Sequence, residues 1–201
     1  MDRIFKADEL SHYVTRTFDH ISRVQKRAVM LADHYVKRCD TGLFESTRQM
    51  FAFLQGVATH DQSKFSPEQW PIYCIMSYKR NVTGEPLTDE ENAEFEKSFR
   101  NHYLRESHHP EATTKANPSF YWGKQAAIHC ACDLQAMADE FGEGSARKYF
   151  NDVWWPEYCD IVTMPSKLKL FNVRELMEKC FSVWEDIDSK AERRNDEALQ
   201  S

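Results

Sequence analysis

Apolar residues recur along this chain at three- and four-residue steps, the spacing of helices that bury one face. From His20 to Arg38 the positions Ile21, Val24, Ala28, Leu31, Ala32 and Tyr35 form one stripe. His20, one turn before Val24, begins on it. Between Glu45 and Thr59, the residues Met50, Phe51, Phe53, Leu54, Val57 and Ala58 leave little polar surface, which predicts a central helix closing at His60 and Asp61. Ser66-Pro67-Glu68 offers the N-cap and first-position proline that open a helix, here one carrying Trp70, Ile72, Tyr73, Ile75 and Met76. Arg80 to Pro86 reads as a loop. Thr88-Asp89-Glu90-Glu91 is a capping box that starts a helix through Phe95, Phe99 and His102. After an irregular stretch from Ser107, Asn117-Pro118 caps a helix running to about Phe141 and ending at Gly142. A short helix from Ala146 to Trp154, a stretch punctuated by Pro156 and Pro165, and an amphipathic helix from Val173 to Lys190 complete the pattern. No internal repeat or linker divides it. The expectation is one all-α domain over residues 1–190, with a charged tail from Ala191 to Ser201 that frays.

Composition narrows the function classes. A net charge of −6 argues against a general nucleic-acid binder while leaving room for a local basic pocket. No stretch approaches the roughly 20 apolar residues of a membrane span, and the opening Met1-Asp2-Arg3-Ile4-Phe5-Lys6 lacks a secretory signal. The six cysteines are scattered without a CxxC pair, so they read as reduced thiols of a cytoplasmic protein. With six glycines and no GxGxxG or P-loop, a phosphate-cradling nucleotide fold is excluded.

The chemistry lies in His20, His60, Asp61 and Asp133. Imidazole and carboxylate suit Mn, Fe, Co, Ni or Zn. Adjacent residues on an intact helix point about 100° apart, so His60 and Asp61 can face one ion only where the helix ends. Asp133 stands among Ala126, Cys130 and Met137, and a carboxylate in such company is costly to bury unless it is paired or holds a metal. His102, His108 and His109 put three imidazoles within eight residues, read either as further ligands or as a His-rich exposed loop. His129, four residues before Asp133, reads as a packed histidine or an outer partner of that carboxylate. Arg23, three residues after His20, is a candidate for neutralising an anionic substrate.

His20-Ile-Ser-Arg-Val24 with Ala28 and Leu31-Ala32, the run His60-Asp61-Gln-Ser-Lys64, and Asp133 in Cys-Ala-Cys-Asp-Leu-Gln-Ala-Met together resemble the HD-domain superfamily over residues 18–140. Ser63 stands where that superfamily's HDxGK box more often has glycine. More narrowly, HDxSKF, the run from His102 to Glu111 and the Cys132-Asp133 helix look like an uncharacterised family frequent in phages. The resemblance implies an HD-type helical bundle holding one or two divalent ions. His20, His60, Asp61 and Asp133 would hold the first. His102 with His108 or His109 would hold a second, with Asp61 bridging, and the remaining histidine would contact substrate. Asp61 and Lys64 would carry catalysis, Lys64 by touching a phosphate. The activity implied is metal-dependent phosphohydrolysis of a nucleotide or another small phosphate ester. A di-iron oxygenase using four histidines and two aspartates to cleave a C–C or C–P bond, and a non-catalytic metal-binding protein, are the alternatives.

Overall fold

The structure is a computed structural model, and it describes residues 4–113, 122–162 and 172–199. The chain runs α1 (Ala7–Arg38), α2 (Thr47–Val57), α3 (Trp70–Tyr78), α4 (Asp89–Arg105), α5 (Lys124–Phe141), α6 (Arg147–Tyr149), α7 (Trp155–Val162) and α8 (Val173–Leu199). Tight 3-10 turns occupy Gln62–Phe65 and Pro110–Thr113, and π turns occupy Lys79–Thr83 and Phe150–Trp154. No strand occurs among the described residues, so the protein is all-α.

The core lies where α1, α5 and α8 meet. Val24, Ala28 and Leu31 of α1, Ala127, Ile128 and Ala131 of α5, and Met177, Phe181 and Trp184 of α8 are buried there. Each large side chain among them contributes about 1.5–3 kcal/mol through burial. The alanines add little bulk, which suits the close packing of α1 on α5 and brings His20 against Asp133. Arg27 fixes the register of the three helices. Its guanidinium donates twice to Asp139 of α5 (2.7 and 2.6 Å) and once to Asp188 of α8 (2.8 Å). Trp184 Nε1 donates to the Arg27 carbonyl at 3.0 Å, closing the third side.

Several elements depart from the sequence pattern for identifiable reasons. Helix α1 begins at Ala7 rather than His20, because its first buried positions, Glu9 and Thr17 with Tyr13 between them, are polar or amphipathic and hide the stripe. Helix α2 is peripheral, not central: Met50, Phe53 and Val57 are buried while Phe51 is 62% exposed. Helix α3 starts at Trp70 with Pro71 in its first turn, and Ser66 instead closes a turn whose carbonyl accepts from Gln69 and Trp70 at 3.0 Å each. The expected loop after Arg80 begins as a π turn, stopped by Gly84 in the left-handed region (φ 72°). Helix α7 occupies the stretch around Pro156, running on without a break from the π turn Phe150–Trp154 that ends two residues before the proline. The tail expected to fray continues as helix to Leu199. The Thr88 capping box and the Gly142 stop are present as expected. The Asn117-Pro118 cap and Pro165 lie outside the described residues.

Candidate metal centre

The donors reach one point because helix α2 ends where it does. After Val57 the chain tightens, and Asp61 adopts the left-handed conformation (φ 58°, ψ 12°). That reversal turns His60 and Asp61 inward together, from residues that a continuing helix would have splayed. His20 comes from α1, His102 from α4, Asp133 from α5, and His108 and His109 from the turn between α4 and the Pro110–Thr113 segment.

Among the described residues three overlapping donor groups result: His60, His108 and His129, whose ligand atoms lie within 4.8 Å of one another, and two that meet at Asp61. In the first of these two, His20 Nε2 lies 3.2 Å from His60 Nε2 and 3.0 Å from Asp133 Oδ1. Asp61 Oδ2 completes it at 3.6 Å from His20 and 3.4 Å from His60. In the second, His102 Nε2 lies 3.2 Å from Asp61 Oδ1 and 3.2 Å from His109 Nε2. Asp61 therefore presents one oxygen to each of these two groups. His20, His60 and Asp133 fall within 4.8 Å of one another, as do Asp61, His102, His108 and His109. His109 lines the adjoining cavity with His102. His108 lies behind it, buried, with its Nε2 3.9 Å from Asp133 Oδ2 and neither ring nitrogen hydrogen-bonded.

The surrounding residues fix which nitrogen faces inward. His60 Nδ1 meets His129 Nε2 at 3.0 Å, so a proton on His60 Nδ1 leaves its Nε2 lone pair free for an ion. Ser63 Oγ does the same for His102, at 2.9 Å from its Nδ1. His129 is thus more than a packed histidine, and Ser63 has a role that glycine could not fill. Tyr103 stacks on His109 with ring centroids 4.0 Å apart.

Electrostatics favour a bound cation. Burial raises the Asp61 carboxyl, but Lys64, His60 and His102 outweigh it and hold it well below the ordinary carboxylate range. Burial likewise opposes ionisation of Asp133, and the hydrogen bond from His20 with the charges of His60 and His20 overcomes it. Burial pushes His109 and His129 down to about 3 and His108 well below its usual range, so these rings are neutral donors at neutral pH. The Asp61 and Asp133 carboxylates with the surrounding imidazoles, Asp61 Oδ1 and His108 Nε2 lacking hydrogen bonds among the described residues, form a nitrogen and oxygen donor set suited to divalent transition metals. Cys130 and Cys132 are buried in the core on α5, their thiols pushed well up by burial, and are not donors.

A cavity of about 700 Å³ opens onto the donors, lined by His20, His102, His109 and Asp133 at one end. Lys64 enters it paired with Asp61 and keeps 22% of its side chain exposed. Its backbone carbonyl accepts from Tyr13 Oη at 2.7 Å. Arg23 is not among the described residues lining the cavity; Arg16, one turn before His20, is. Both arginines approach Glu140, Arg16 at 2.8 Å and Arg23 at 3.7 Å. The family of unknown function DUF5662 matches residues 9–163. This chain belongs to that family. No curated protein and no solved structure matches the chain. The DUF5662 segment contains every donor described above and stops before α8, the helix that closes the core beside Arg27.

Sequence reasoning did not reach Ser63, Tyr103 or Arg16 as participants. Arg16 could have been found by stepping back one turn from His20. Ser63 could have been found by asking why serine stands inside the His60–Lys64 run. Tyr103 carried no signal beyond its place beside His102.

Proposed function

We propose that this protein is a metal-dependent phosphohydrolase of the HD type that acts on a small phosphate ester. The observation that carries the reading is the division of one buried carboxylate, Asp61, between two groups of imidazole donors at the end of a cavity that also receives Lys64. His20, His60, Asp61 and Asp133 would hold one divalent ion, and Asp61, His102 and His109 a second. Bound there, such ions lower the pKa of a coordinated water toward about 7 and polarise a phosphoryl oxygen. Lys64 supplies a positive charge at the phosphate, released from Asp61 once that carboxylate is engaged elsewhere. His129 and Ser63 keep His60 and His102 in the tautomers that turn lone pairs inward. His108, a buried neutral ring packed between His60, His109 and His129, is a further nitrogen within reach of the second ion.

The same residues supply four histidines (His20, His60, His102, His109) and two aspartates (Asp61, Asp133), which is the donor count of the di-iron oxygenase reading. Metal content and oxygen dependence separate the two. Elemental analysis of untagged protein, wild type and Asp61→Ala, followed by turnover of phosphate esters with and without dioxygen, is the deciding experiment. About two equivalents of manganese or iron, lost in Asp61→Ala, with oxygen-independent release of phosphate support the hydrolase. Iron with a dioxygen-dependent product supports the oxygenase. No metal after reconstitution defeats both. Cysteines scattered without a CxxC pair, with Cys130, Cys132 and Cys180 buried in the core, fit the reducing interior of a cell, where we place the protein.

A further inference from the structure

Helix α3 carries two hydroxyls that the fold does not use. Tyr73 and Ser77 stand one turn apart, and both line the cavity. They are 5% and 2% exposed, yet among the described residues neither Tyr73 Oη nor Ser77 Oγ has a hydrogen-bond partner. Leaving a buried hydroxyl unpaired costs about 1–3 kcal/mol, so two on one wall call for a partner that the protein does not provide. Asn81, a turn further on, donates to the Ser77 carbonyl at 2.7 Å and also lines the cavity, continuing the polar stripe toward the rim. Tyr73 lies at the metal end, with its ring 6.1 Å from that of His102 and 5.9 Å from the Lys64 ammonium. The stripe therefore starts beside the donors and runs away from them.

We propose that Tyr73 and Ser77 are specificity-determining residues that bind hydroxyl groups on the organic part of the substrate, so that the ester is one of a sugar or polyol rather than of a plain alkyl or aryl alcohol. A tyrosine and a serine hydroxyl each donate and accept, and so does a sugar hydroxyl. A site built to hydrogen-bond a hydroxyl rejects the analogue lacking it far more strongly than an apolar pocket distinguishes two hydrocarbons, because its own buried groups are then left unpaired. The proposal rests on the phosphohydrolase reading only for the end at which the phosphate lies.

The test compares ribose 5-phosphate with n-pentyl phosphate, two monoesters of equal charge and carbon number, by calorimetry on manganese-loaded protein. Wild type is expected to prefer ribose 5-phosphate by at least about tenfold. Tyr73→Phe and Ser77→Ala should each weaken ribose 5-phosphate by about tenfold and leave pentyl phosphate within about twofold. Ligand-free thermal stability should be unchanged or slightly raised in both variants, since each removes an unpaired buried group and breaks no bond. Equal affinity of wild type for the two esters, or binding of neither, overturns the proposal. So does a loss of ligand-free stability with unchanged selectivity, which would make the hydroxyls structural. If both esters bind without releasing phosphate, hydrolysis fails as a reading while the selectivity ratio still decides this one.

Discussion

Replacing His129 by phenylalanine removes the acceptor for His60 Nδ1 while keeping an aromatic ring packed 5.0 Å from His60 and 4.4 Å from His108. In the wild type the 3.0 Å contact with His129 holds the proton on Nδ1 and leaves Nε2 free. Without it, the His60 proton is better placed on Nε2, where the Asp61 carboxylate oxygen Oδ2 lies at 3.4 Å as an acceptor. That tautomer satisfies the metal-free protein and blocks the ion. Outer partners of ligating histidines are worth 10–100-fold in metal affinity, or about 1.4–2.7 kcal/mol. The metal-free protein should lose less than this, because the proton has somewhere to go. The assay is manganese affinity by competition with a chromogenic chelator, beside urea unfolding of the chelator-treated protein. His129→Gln, which restores an acceptor, should recover most of the affinity. Manganese binding by His129→Phe within twofold of wild type would refute the tautomer argument.

Ser63→Ala should weaken one of two bound ions by about 10–100-fold and spare the other, visible as a biphasic titration where wild type gives two tight equivalents. Asp61→Asn should bind little metal and release no phosphate while its far-UV circular dichroism stays helical. Arg27→Met removes the cation shared by Asp139, which keeps its bond from Gln135 (3.1 Å), and Asp188, and because Asp188 is 44% exposed the loss belongs at the low end of about 3–5 kcal/mol, read as a lower urea midpoint. The pH dependence of the metal-free protein has a definite sign. His109 and His129 take up protons near 6.5 when unfolded but only at about 3 when folded, so the unfolded state binds more protons between those values. Stability should fall as pH drops from about 6.5, with Asp61 and Asp133 adding to the loss below about 4. A flat profile from pH 7 to 4 would contradict the burial of those rings.

The helices and the ends of several were legible because their signals are local: the Thr88 capping box, the Gly142 stop, the stripe from Ile21 to Leu31. The donors were legible as well, since His20 and Asp133 interrupt apolar stripes and His60-Asp61 interrupts a helix. What stayed hidden depends on contacts between distant segments. The first half of α1 buries Glu9 and Thr17, which no hydrophobic count detects. The exposed Phe51 made α2 look central. Pro67 offered a helix start, but the helix opens at Trp70 with Pro71 in its first turn, where Trp70 packs on the distant Phe5 (centroids 4.7 Å apart). Arg23 reads as the arginine beside His20 because it lies within a turn of it, but the side of α1 that faces the cavity carries Arg16 instead. The pairing of His129 with His60 spans 69 positions, beyond any motif.

The left-handed backbone at Asp61 subjects that position to two independent selections. The turn favours glycine, asparagine or aspartate, the residues that tolerate positive φ. The centre demands a charged carboxylate of short reach. Aspartate alone meets both: glutamate keeps the charge and strains the turn, while asparagine keeps the turn and abandons the charge. Drift at this codon therefore has two soft exits, to asparagine and to glycine, each of which should fold well and hold no ion. A relative carrying asparagine there would keep the shape of the turn and lack the carboxylate that both donor groups share.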